Sequence, residues 1–162
     1  MALNSQVLTP ELVKAVVDGY SLSQKGIHGP SHWFRVRTNG LLIAEDNGAN
    51  AKIVELFALF HDSKRVNDGR DPLHGARGAA FAVELRAQGL FELTDLEMES
   101  LVFACTHHTK GWTEAPLTVA TCWDGDRLDL GRVGYIPDPM RLCTEVGRRP
   151  EVIEWAYKRS VA

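Results

Sequence analysis

The chain has 162 residues, 44 % apolar and 24 % charged, the balance of a soluble domain long enough to bury a sizeable core. A net charge of −3 with no Lys/Arg block leaves no electrostatic footprint for broad nucleic-acid binding. No apolar stretch approaches a bilayer span, and residues 1–6 lack the basic-then-apolar pattern of a signal peptide. Cys105, Cys122 and Cys143 are odd in number and show no CxxC spacing, so they read as reduced core thiols of a cytoplasmic protein.

In chain order, Thr9 as N-cap and Pro10 at the first position open a helix with an apolar face of Leu12, Val13, Val16 and Val17, closed by Gly19. Residues 26–32 form a loop into a second helix that starts at Pro30 or Ser31 and buries Trp33, Val36, Leu41 and Ile43. Gly40 inside it marks a place where a neighbour can come close. Residues 47–50 break that helix. In the third, Ile53, Leu56, Phe57 and Phe60 recur at helical spacing and lead into His61 and Asp62.

A charged, turn-rich loop over 64–72 follows, and Asp71 and Pro72 read as cap and first position of a fourth helix that Gly89 ends. Thr94 and Glu97 form a capping box ahead of Met98, Leu101, Val102 and Cys105, in a fifth helix running into His107 and His108. Pro116 opens a sixth helix over 117–123. Gly131, Gly134, Pro137 and Pro139 mark an irregular excursion, and two short helices, about 140–146 and 151–158, finish the chain. With no strand pairs, repeats or linker, the expected fold is all-α, one helical bundle over residues 1–162.

His61 lies four residues after Phe57 and so shares its inward face. Asp62 beside it is a carboxylate at the core, costly unless paired or bound to a metal. Of the six histidines, His28, His32, His61, His74, His107 and His108, most fall beside turns and carboxylates. Imidazole and carboxylate donors together suit a hydrolytic metal centre.

His32, then His61-Asp62, then Asp124 resembles the ordered H…HD…D signature of the HD-domain superfamily of metal-dependent phosphohydrolases, over about residues 28–139. The resemblance implies that His32, His61, Asp62 and Asp124 hold a divalent metal (Mn, Fe, Co, Ni or Zn, with Mg also fitting), and that Asp62 bridges to a second ion or orients water. In two-metal members further histidines stand between the HD pair and the last Asp. His74 with either His107 or His108 fits that place; His107 is preferred, since a solvent-facing role suits His108 as well. His28 reads as a loop residue.

Some one-metal nucleotidases of the family carry Glu three residues after the HD aspartate, where this chain has Arg65. Arg65 is therefore expected to grip phosphate beside Asp62, with Arg77 and Lys64 as further substrate contacts. The expected substrate is a phosphomonoester or phosphodiester, a nucleotide or related small metabolite. The same fold also serves di-iron oxygenases, and a non-catalytic nucleotide- or metal-binding module is a third reading. Regulation of so compact a chain would come through self-association, as a homodimer, or through partners.

Overall fold

The computed structural model describes residues 4–162, so the first three residues of the N-terminal stretch read above lie outside it. It is all-helical among those residues: seven α-helices and two short 3₁₀ turns. The first helix, α1 (Pro10–Asp18), begins as its caps dictate, with the Thr9 side chain accepting from the Leu12 amide. The second, α2 (Pro30–Asn47), ends at Gly48, which takes the left-handed conformation (φ 78°) that a side chain would resist. Next comes α3 (Ala51–Phe60), buried on nearly every side from Ile53 onward. Its Asn50 side chain caps the Lys52 amide.

A Cβ on Gly40 would lie 2.5 Å from Val54 Cγ1, so α2 and α3 pack at the close approach the sequence suggested. The fourth helix, α4 (His74–Ala87), starts two residues later than expected. Asp71 does not cap it, because its carboxylate turns back to accept from the Val66 amide and from Arg77. That turn closes the charged loop instead.

The fifth helix, α5 (Asp95–His107), carries the capping box: Thr94 Oγ1 accepts from the Glu97 amide, and Glu97 Oε2 from the Thr94 amide. Glu97 also takes hydrogen bonds from Asn50 and Lys52, tying the start of α5 to the start of α3. The Thr94 amide first, then Lys52, draw its carboxyl down from 4.5 to about 2. This stabilisation is complete above the unfolded value near 4.5 and is lost as pH falls from there through about 2. Glu97→Ala is expected to lower Tm by about 3–6 °C at pH 7. Melts of both proteins between pH 7 and pH 2.5 should show the gap narrowing with acid; a constant gap would place the effect elsewhere.

The sixth helix, α6 (Leu117–Arg127), runs four residues beyond the expected end. Helix α2 packs between α3 and α6, and α4 packs on α5. The excursion contains 3₁₀ turns at Leu130–Val133 and Pro139–Arg141. The helix expected over 140–146 does not form, since the amides of Cys143 and Thr144 donate to the Asp124 carboxylate instead of to a helical ladder. The last helix, α7 (Pro150–Ser160), closes a smaller core of Ile43, Leu128, Leu142, Val146, Val152, Ile153 and Ala156. No described helix is long and apolar enough to cross a membrane.

Candidate metal centre

Apolar packing drives α3 into the middle of the bundle, so the turn after Phe60 delivers His61 and Asp62 almost fully out of solvent. Phe57 stacks on the His61 ring at 4.8 Å. His32, in the first turn of α2, puts Nε2 3.1 Å from His61 Nε2. Asp126, in the last turn of α6, places Oδ1 3.2 Å from His32 Nε2 and 3.5 Å from His61 Nε2. Asp62 Oδ2 completes the set at 3.4 and 3.5 Å from the same two nitrogens.

A second group adjoins the first through Asp62. Its other oxygen, Oδ1, lies 3.0 Å from His74 Nε2 and 3.6 Å from His108 Nε2, and those two nitrogens are 3.0 Å apart. Helices α4 and α5 can meet this closely because residue 75 is glycine: a Cβ there would sit 2.2 Å from the Cys105 carbonyl and 3.2 Å from the His108 ring.

The tautomers follow from the outer contacts. His61 Nδ1 faces the carbonyls of Phe57 and Ala58, His74 Nδ1 that of Asp71, and His108 Nδ1 that of Cys105. Carbonyls only accept, so each Nδ1 carries the proton and each Nε2 turns a lone pair inward. His32 Nδ1 meets Asp129 Oδ2 at 2.7 Å, and Arg35 holds that carboxylate through two nitrogens. These carboxylate and carbonyl partners are the supports that orient metal-ligating histidines.

Lone pairs and carboxylates aimed at one another need positive charge between them. Burial pulls the His32 imidazole down, but Asp126, Asp129 and Asp62 outweigh it and raise it to about 10. Burial likewise opposes the Asp62 charge, and the surrounding His61, His108, His32 and His74 hold its carboxyl well below the usual range. Without a metal, a proton answers that demand. Bonds of about 2.0–2.2 Å to one ion set neighbouring ligand atoms about 2.8–3.6 Å apart, between octahedral and tetrahedral angles. The donor spacings of 3.0–3.6 Å fall within that span. The buried cluster therefore fits a divalent metal site.

Four expected residues, Asp124, His107, Lys64 and Arg77, are placed differently. Asp124 is absent from the cluster: Oδ1 accepts from the Cys143 amide, and Oδ2 from the amide and hydroxyl of Thr144. Because α6 continues past Trp123, Asp124 and Asp126 are two residues apart on a helix and face opposite ways. His107 also points elsewhere, its ring stacked on Trp112 at 5.1 Å, and His108 takes the place beside His74. The Lys64 ammonium is held by the Gly19 carbonyl and lies over the Phe81 ring, not at the cluster.

Arg77 braces the loop, donating to Asp71 and to the Lys64 carbonyl. Arg65 does reach the cluster: Nε is 3.3 Å from Asp62 Oδ1, while Nη1 donates to the carbonyls of Asn67 and Gly69. His28 stays in its loop, with Nδ1 2.8 Å from Asp68 Oδ1. Asp126, Asp129 and Arg35 escaped the sequence reading, although Asp126 and Asp129 stand at the i,i+3 spacing of one helical face.

No family model matches the chain, and no curated protein matches it either. Among solved structures it is similar to a predicted HD superfamily hydrolase from an uncultured Thermotogales bacterium. The two are 27 % identical with a TM-score of 0.70, and the match covers 91 % of this chain and 84 % of that one. The chain shares the all-helical fold of that predicted HD superfamily hydrolase, and its buried histidine–aspartate cluster is consistent with an HD-type metal site.

Proposed function

We propose that the chain is a metal-dependent phosphohydrolase that can hold two ions and acts on a small phosphomonoester or phosphodiester, a nucleotide or related metabolite. The observation that carries this reading is the division of Asp62, whose Oδ2 faces His32 and His61 while Oδ1 faces His74 and His108. The similar hydrolase supports the reaction class. In this reading His32, His61, Asp62 and Asp126 hold one ion, and Asp62, His74 and His108 the other. The chemistry so supplied is a water whose pKa falls from about 16 towards about 7, with charge drawn from the phosphoryl oxygens.

The protein's own groups do the rest. Asp129 and the backbone carbonyls fix the imidazoles, so that little reorganisation accompanies reaction. Burial of the cluster excludes bulk water and strengthens each charge contact. Arg65 adds a cation at the edge of Asp62, suited to an anionic substrate. Neither Lys64 nor Arg77 is assigned to phosphate, given their structural partners.

The test is a panel of phosphomonoesters and phosphodiesters offered to protein loaded with Mn, Co, Ni, Zn or Fe. Release of phosphate, or of the alcohol from a diester, is expected with at least one metal. Iron-dependent oxygen uptake without hydrolysis would point to an oxygenase, and thermal stabilisation without turnover to a binding module.

A further inference from the structure

Tyr20 lies two residues beyond the end of α1 and is fixed from two sides. The preceding carbonyl, of Gly19, accepts from Lys64, two residues beyond Asp62. Its ring stands edge-on to Trp33, the neighbour of His32, with centroids 5.1 Å apart at 80°. Trp33 is itself anchored through its indole N–H to the His28 carbonyl. Tyr20 thus bridges the two segments that bring Asp62 and His32 to the centre.

Only 7 % of the residue is exposed, and its hydroxyl is buried with no hydrogen-bond partner among the described residues. Burial first, then Asp68 and Asp62, push the phenol up to about 12, with Arg65 opposing. The hydroxyl stays protonated in that field and is a donor without an acceptor. Edge packing on Trp33 would be met equally by phenylalanine, so packing does not account for the oxygen. Buried hydroxyls left unpaired are uncommon, and this one belongs to a residue packed between the segments that carry His32 and Asp62.

We propose that Tyr20 is a substrate-binding residue, its hydroxyl donating to a phosphoryl oxygen of the molecule held at Asp62. This rests on the phosphohydrolase reading above. The neighbouring groups are consistent with such a donor: Arg65 reaches Asp62, and Asp68, from the same charged loop as Arg65, pairs with His28. The acceptor is the anionic phosphoryl group, to which the Arg65 guanidinium beside Asp62 is also suited.

Inorganic phosphate is the probe, titrated into metal-loaded wild type and Tyr20→Phe by calorimetry, with metal content measured on both. The variant is expected to keep its metal and to bind phosphate about tenfold more weakly, the worth of one hydrogen bond to a charged group. In EDTA its Tm should equal or exceed that of wild type, since an unpaired buried hydroxyl has been removed. Equal phosphate affinity in both proteins overturns the inference and leaves the hydrolase reading standing; so does a lower Tm in EDTA with unchanged phosphate affinity, which makes the hydroxyl structural. Wild type that holds metal yet binds no phosphate removes the phosphoryl reading itself, and this inference with it.

Discussion

Asp62→Asn is expected to cost the protein its metal and at least about a thousandfold in hydrolysis, roughly 4 kcal/mol of transition-state stabilisation. Both oxygens of Asp62 are committed, one to each group of imidazoles, so a single amide disturbs both halves at once. The fold should survive. Asparagine has nearly the same volume, and the carboxylate it replaces is buried among groups that need a cation to be compatible with it. Circular dichroism of the variant in EDTA should match wild type, while metal content and turnover collapse together. Full turnover by a metal-free variant would remove the reaction class.

The pair Asp124→Ala and Asp126→Ala should separate cleanly, although the two residues stand two positions apart. Asp124 is fully buried and accepts three hydrogen bonds at 2.7 Å from Cys143 and Thr144, which pin the segment after the second 3₁₀ turn to α6. Its removal leaves two amides and a hydroxyl without their acceptor, a loss of about 3–5 kcal/mol. For a chain of this length that is roughly 8–15 °C in Tm. Asp126 faces the imidazoles, and its loss should leave the Tm in EDTA within about 2 °C while weakening metal binding. Thermal melts in EDTA and metal analysis of both variants test this. The reverse pattern would return Asp124 to the metal site.

These two aspartates show where the sequence stopped being legible. His61-Asp62 could be read because an apolar helix ends on them, and His32 because it opens the next helix in the ordered pattern. Choosing between Asp124 and Asp126 required knowing that α6 continues through Arg127, and Gly125 made the earlier end look natural. The acceptor role of Asp124 depends on Cys143 and Thr144, nineteen and twenty residues away, in a segment whose composition suggested a helix.

The inward position of His108 is legible in the spacing of α5. Met98, Leu101, Cys105 and His108 follow one another at three- and four-residue steps, so the buried stripe of α5 leads to His108 and leaves His107 on the flank with Phe103 and Trp112. The basic residues after Asp62 were the least readable. Lys64, Arg65 and Arg77 look equivalent as charges, yet a carbonyl and an aromatic ring claim the first, the loop claims the third, and only Arg65 reaches Asp62. A loop's charge can be read from composition; where each charge is spent depends on the backbone around it.

Two ligand groups share Asp62, and metal stoichiometry by mass spectrometry measures the consequence most directly. Wild type, Asp62→Asn and His74→Ala would be stripped with EDTA, reloaded with one metal and cleared of excess. About two ions per chain are expected in wild type, about one in His74→Ala, and close to none in Asp62→Asn. Undiminished metal in Asp62→Asn, or a wild type that retains none, would contradict a metal centre shared through Asp62.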